Sequence, residues 1–220
     1  MSASLSINTD ELREVDRSIA ETFGPVGLQQ AREGMGAAAR LELIDHFTDL
    51  EQDSVHHKTA QRLGAQSTGF YAEAARSVQM PEISGDDVTI SINGPVGLAQ
   101  RFFGGTIVPK KGNWLTIPAI AAAYGARART FNNLRFVYFR PDLAALVERL
   151  AATVQRGRNG VYRAVQSSVG TVVYWLKPSV TQAADPTVLP TEDRLAGVAI
   201  TAGQETFGRL WERQIGGAKA

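Results

Sequence analysis

An α+β fold is predicted by two changes of hydrophobic period along the chain and by a fresh set of helix signals near its end. Apolar residues recur at helical spacing through roughly the first 80 residues. From Val88 the period changes: Val88, Ile90 and Ile92 alternate with Thr89, Ser91 and Asn93, as in a half-buried strand. Past Pro190, Thr191 with Glu192 and Asp193 marks a new helix start. Helices, a run of strands and a closing helix describe N-terminal helices and a C-terminal helix packed on a mainly antiparallel sheet. With 220 residues, 44% of them apolar and 20% charged, the chain can bury a core. One domain over 1–215 is expected: mainly helical over 1–80, β-rich over 87–177, with a final helix over 191–214 and a flexible tail at 216–220.

Each element has a local reason. Asn8 or Thr9 caps a helix from Asp10 to Phe23, whose Asp10, Glu11 and Glu14 sit at its positive end while Leu12, Val15, Ile19 and Phe23 form a stripe. Gly24-Pro25 stops it. A second helix runs from Gly27 to Ser54 on Leu28, Ala31, Met35, Ala38, Leu41, Ile44 or Leu43, Phe47 and Leu50, and a third from Gln66 to Val78. After the strand at Val88, further strands are predicted at Ala99–Val108, Trp114–Ile117, Leu134–Arg140 and Ala144–Glu148, with a pair at Val161–Gln166 and Thr171–Lys177. Pro141-Asp142 turns one pair and Ser168-Val169-Gly170 the last. A short helical piece fits Ala119–Thr130, and Arg149–Asn159 reads as an inserted or flexible loop. In the last helix Leu195, Val198, Ala202, Phe207 (or Ala199 with Glu205 outward), Leu210 and Trp211 give the buried stripe. Gly24-Pro25-Val26-Gly27-Leu28 echoes as Gly94-Pro95-Val96-Gly97-Leu98, but the flanks differ and the echo is taken as chance.

Several chemistries are excluded or disfavoured. The chain has no cysteine, so disulfides, thiolate zinc sites and a cysteine nucleophile are out. No apolar run approaches a membrane span, and the first residues lack a secretion signal, so synthesis in the cytoplasm is expected. There is no Gly-x-Ser-x-Gly elbow, no His-Glu-x-x-His helix and no phosphate loop: Gly104-Gly105-Thr106 lacks the following Gly-Lys-Ser/Thr. The three histidines, His46, His56 and His57, lie beside Asp45, Asp49 and Asp53, which share one helical face at i, i+4 and i+8. A metal site is one reading of that group; a solvated face, or one that meets a basic partner, is the favoured one. No enzyme, metal or cofactor is expected.

Charge is unevenly distributed. Residues 1–100 carry 7 Lys/Arg against 15 Asp/Glu (7 − 15 = −8), residues 101–177 carry 12 against 2 (+10), and residues 178–220 carry 4 against 5 (−1). Such a division favours association in trans, acidic surface to basic surface, and it also permits contact with nucleic acid. The basic segment holds Arg101, Lys110, Lys111, Arg127, Arg129, Arg135, Arg140, Arg156, Arg158 and Arg163. Phe102, Phe103, Trp114, Tyr124 and Phe131 are interleaved with these and are read as core residues of strands. Gly104–Pro118 is expected to be a projecting basic hairpin whose tip, Val108, Pro109, Lys110, Lys111, Gly112 and Asn113, contacts a neighbouring subunit or virion partner. Asp45, Asp49 and Asp53 are expected to form the opposing intersubunit surface. Lys110, Lys111, Arg127 and Arg129 are the candidates for DNA-phosphate contact without base readout.

The run Phe102-Phe103-Gly104-Gly105-Thr106-Ile107-Val108-Pro109-Lys110-Lys111-Gly112, followed by Leu115-Thr116-Ile117-Pro118-Ala119, resembles the signature of the bacteriophage virion morphogenesis or tail completion family. Leu63-Gly64 to Val78, Leu134-Arg135-Phe136, and Tyr174-Trp175-Leu176-Lys177 leading to Asp185-Pro186 and Leu189-Pro190 extend the likeness over about residues 40 to 213. The N-terminal helix and the Arg149–Asn159 loop do not align with it. The resemblance implies a structural protein of a tailed phage, acting in tail completion or head-to-tail joining at the neck, and brings no catalytic residues. It implies a homo-oligomeric ring around the DNA channel, six copies favoured over twelve, touching other neck, connector or tail-tube proteins. A tail terminator or transient morphogenesis factor is the alternative, and a non-specific DNA-binding protein is the reading from a different class.

Overall fold

Gly24 takes φ 68° and ψ −178°, outside the helical region and easily reached only without a side chain. The helix Asp10–Gln52 (α1) is therefore two helices in series, broken where Gly24-Pro25 predicts. A computed structural model describes the backbone of residues 3–6, 10–148, 153–156, 162–165 and 170–217, and the side chains of residues 24–148 and 170–213. The apolar stripe of the first helix, Leu12 to Phe23, lies outside the described side chains.

The chain is α+β with antiparallel strand pairing throughout the described residues. In order come β1 (Ala3–Ser6), α1, α2 (Lys58–Leu63), α3 (Phe70–Ser77), β2 (Glu82–Ser84), β3 (Asp87–Ile92), α4 (Leu98–Phe103), β4 (Gly105–Ile107) and β5 (Leu115–Pro118). There follow β6 (Leu134–Arg140), β7 (Leu143–Glu148), β8 (Thr153–Arg156), β9 (Tyr162–Val165), β10 (Val172–Lys177), β11 (Val180–Gln182) and α5 (Glu192–Gly217). Within the span 1–215 expected as one domain, the chain gathers into two compact units: residues 1–53, 69–104 and 183–220, and residues 54–68 with 105–182.

In the first unit the sheet order is β1-β3-β2. Its core joins Leu43, Phe47 and Leu50 of α1 to Tyr71, Ala74 and Val78, to Ile90 and Ile92 of β3, and to Leu195 of α5. Glycine sets two of the close approaches. A Cβ on Gly36 would stand 2.8 Å from Pro81 Cβ and 2.9 Å from Val88 Cγ1, so α1 lies on the β2–β3 hairpin at backbone distance. A Cβ on Gly203 would stand 3.2 Å from Met35 Cγ, where α5 lies along α1. The buried row of α5 is Leu195, Ala199, Gly203 and Thr206, with Glu205 exposed; this bears out Leu195 and the alternative of Ala199 inward and Glu205 outward, and corrects Trp211, which is half exposed. On α1 Leu43 is buried and Leu41 exposed. The N-terminus of α3 has no cap of its own; Glu51 Oε2 accepts from the backbone N–H of Tyr71 at 2.9 Å and of Ala72 at 3.2 Å.

In the second unit the main sheet has the order β5-β10-β7-β6, with β11-β4 and β8-β9 as separate pairs. Pro141-Asp142 turns β6 into β7 as predicted. Tyr174 and Val173 are buried with Ala123, against Phe131, Leu134 and Leu146.

Four sequence expectations need correction. Gly104–Pro118 is not a hairpin: β4 pairs with β11 and β5 with β10, so its two arms serve different sheets. Ala99–Val108 is not one strand, because Gly97 (φ 104°) and Gly104 (φ 70°) bracket the short helix α4 before β4 begins. Thr171–Lys177 pairs with β5 and β7, while the strand within Val161–Gln166 pairs with β8. Arg149–Asn159 contains β8; its other residues, like Ser168 and Val169 of the predicted turn, lie outside the described residues.

Candidate interaction surfaces

Asp45 and Asp49 are exposed on α1 in the first unit. Asp53 follows the helix end, but its N–H still donates to Asp49 O at 2.8 Å, which continues the turn and keeps the three carboxylates in series. His46 does not join them. Its Nε2 donates to the carbonyl of Thr187 at 3.0 Å, and Arg194 forms an ion pair with the neighbouring Glu42. Burial holds the His46 imidazole below its usual range, as does Arg194, while the Thr187 carbonyl, Glu42 and Asp49 pull the other way. His56 and His57 belong to the 3₁₀ turn Ser54–His57 of the second unit. Among the described residues no group of three or more His, Asp or Glu side chains is placed to hold a metal ion.

The predicted basic residues fall in the second unit. Val108–Asn113 is a loop joining β4 to β5; Lys110, Lys111, Gly112 and Asn113 are exposed, as is Val108. Arg127 and Arg129 are exposed at a 3₁₀ turn, Ala128–Thr130, whose Thr130 hydroxyl donates to the Arg127 carbonyl at 2.8 Å. The segment before that turn is anchored from below: the buried Tyr174 hydroxyl donates to Ala126 O at 3.0 Å and to Ala123 O at 3.3 Å, and burial pushes the phenol pKa up. Arg127 and Arg129 thus lie exposed directly after a segment tied to the buried Tyr174. An open groove between residues 64–68 and 121–126 is lined by small and polar side chains, among them Gln66, Ser67, Thr68 and Tyr124, and by no charged one.

Arg101 stands apart from the other basic residues. It lies in the first unit, with its guanidinium carbon 4.0 Å from the centre of the Phe70 ring and Nη1 donating to Tyr71 Oη at 3.0 Å. Cation–π contact and a hydrogen bond occupy it structurally.

Two features escaped sequence reasoning. The first is aromatic exposure: Phe103 is 71% exposed, and Phe136, Tyr138 and Phe139 of β6 are each about half exposed, with Trp114 beside Phe136 and Trp175 beside Phe139. The unbroken apolar run Phe136–Phe139 was the available signal, since a half-buried strand alternates. The second is how completely charge sorts between units. The first holds 10 Lys/Arg against 20 Asp/Glu (10 − 20 = −10) and the second 13 against 2 (13 − 2 = +11). The excursion 54–68, with Lys58 and Arg62 and no acid, belongs to the basic unit, and 183–220 returns to the acidic one.

No helix among the described residues is long and apolar enough to cross a membrane. The chain matches no family model, no curated protein and no solved structure.

Proposed function

We propose that the chain is a structural protein of a tailed phage virion, acting in tail completion or head-to-tail joining as a homo-oligomeric ring around the DNA channel at the neck. The observation that carries the self-assembly is the division of charge into units of −10 and +11 within one chain. Two such units on every copy favour contacts between unlike surfaces of successive copies and penalise contacts between like ones. Repetition of one unlike contact is the geometry from which rings close. The acidic series Asp45, Asp49 and Asp53 and the basic loop Val108–Asn113 are the surfaces offered to neighbours. The placement in a phage neck rests on the Gly104–Ala119 resemblance, and six copies are favoured over twelve on that ground alone.

A second reading is favoured by Lys110, Lys111, Arg127 and Arg129, all exposed on the basic unit: contact with DNA phosphates without sequence preference. A protein of the channel wall accommodates it, since the whole genome passes there. Assembly would take place in the host bacterial cytoplasm. Mass spectrometry of purified mature particles tests the assignment. The polypeptide is expected in a fixed copy number at the neck or tail end; a particle that is complete and infectious without it contradicts a structural role in the virion.

A further inference from the structure

β6 is the outer strand of the second unit's sheet and pairs with β7 alone among the described residues. Outer strands are normally short, charged or broken by proline, because an open row of N–H and C=O groups recruits another strand. β6 is seven residues long, the longest described strand, and contains no proline. It exposes Phe136 at 50%, Tyr138 at 56% and Phe139 at 52%, and it ends in exposed arginines, Arg135 and Arg140. A strand that is long, aromatic and unpaired on one side is built to be covered.

A second β6 is a poor cover. Antiparallel pairing of two copies about Val137 would set Leu134 and Arg135 of each against Arg140 and Phe139 of the other, bringing an Arg135 near an Arg140 at either end of the ladder, where Arg140 is already paired with Asp142 at 2.9 Å. The first unit has an outer strand of the opposite character. β2 closes the order β1-β3-β2 and pairs with β3 alone among the described residues. Glu82 on the strand and Asp86 and Asp87 at its turn are exposed; Asp86 pairs with Arg32 at 2.7 Å yet its side chain stays 75% exposed. Met80, just before the strand, is 69% exposed; β2 is only three residues long and follows Pro81, so the ladder it can offer is short and its attraction for a basic strand is mainly one of charge.

We infer that β6 of one copy pairs with β2 of the next, joining the basic unit's sheet to the acidic unit's sheet across the contact. Main-chain hydrogen bonds along Glu82–Ser84 supply the ladder, the aromatics of β6 cover Met80, and Arg135 and Arg140 meet Glu82, Asp86 and Asp87. The inference rests on the reading of the chain as a self-assembling subunit and names the contact by which it assembles. The two surfaces differ, so each copy keeps one free β6 and one free β2 until a ring closes.

The test is sedimentation velocity of the full chain at about 50 mM salt, where the screening length leaves surface charges effective. Arg135→Glu and Glu82→Arg should each weaken self-association by about tenfold. The double variant should return to within about threefold of wild type, and the two single variants, mixed, should assemble with one another. Arg135→Gln and Glu82→Gln give a milder pair should a reversal impair folding, which a thermal scan reports. A self-associating wild type whose single variants behave unchanged, or whose double variant stays as weak as the singles, overturns the strand contact and leaves the subunit reading standing. A wild type that remains monomeric overturns both.

Discussion

Gly34 and Thr206 set the spacing of the two long helices of the acidic unit: a Cβ on Gly34 would stand 2.8 Å from Thr206 Oγ1. The hydroxyl is committed on both sides, donating to Ala202 O at 2.8 Å and accepting from Arg209 Nη2 at 3.1 Å. Two turns of small residues therefore replace a conventional leucine seam. Dispersion contact between backbones substitutes for the area that larger side chains would bury.

Glycine substitution along α1 should grade by what the new methyl meets. Gly36→Ala runs into Pro81 and Val88, neither of which can swing away, and should lose about 1–3 kcal/mol as overpacking does. Gly34→Ala meets one atom, Thr206 Oγ1, which moves only by giving up its two hydrogen bonds, while alanine's helix propensity returns about 1 kcal/mol, so it should cost less than Gly36→Ala. Urea denaturation midpoints decide it. A Gly36→Ala variant as stable as wild type would mean that α1 has room above the β2–β3 hairpin.

Leu195 and Trp211 separate the observed face of α5 from the predicted one. Leu195 is 1% exposed, so Leu195→Ala should cost about 2–5 kcal/mol through lost burial and a cavity. Trp211 is 50% exposed, and Trp211→Ala should cost clearly less despite removing the larger side chain. The same denaturation series reads both; a tryptophan deletion costlier than the leucine one would restore the predicted stripe.

That stripe shows where the sequence was legible and where it was not. The long helices, the Gly24 break and the Pro141-Asp142 turn follow from short-range rules and appear, whereas the short helices α2 and α4 do not follow from them. The face a helix buries follows only in part when its neighbour offers small residues: Leu195 and the alternative Ala199 are legible, whereas Gly203 and Thr206 score weakly in any hydrophobic pattern yet pack closely. Strand partners failed for a related reason: β4, β5 and β10 each satisfy their hydrogen bonds with segments far along the chain, and no local turn signal records that. Asp45, Asp49, Asp53, Lys110 and Lys111 are exposed, as their charge suggests, whereas Phe103, expected in a strand's core, is 71% exposed.

His46 should make the acidic unit sensitive to mild acid. Its folded pKa is depressed, so between that value and the unfolded value near 6.5 the unfolded chain binds the extra proton. Stability from this group is complete above about pH 6.5 and is lost as pH falls through the folded pKa. His46→Gln, which can still donate to Thr187 O, should show a smaller drop in urea midpoint between about pH 7.5 and pH 5.5 than wild type. An identical drop in both would assign the acid sensitivity to other groups.

Neutralising Lys110, Lys111, Arg127 and Arg129 together should leave the fold intact, because all four are exposed. Binding to random-sequence DNA should weaken, and the dependence of log affinity on log salt should flatten by about 0.9 for each phosphate contact removed. An unchanged slope would place the phosphate contacts elsewhere, and sequence-specific binding that survives high salt would make the chain a DNA-recognition protein.

Native mass spectrometry of the full chain over a salt series tests most directly the central claim, that units of −10 and +11 draw copies of the chain together. The account predicts one closed oligomer at low salt, with six subunits favoured, giving way to monomer as salt rises and screening removes the attraction. A chain that stays monomeric at every concentration and salt strength would contradict it.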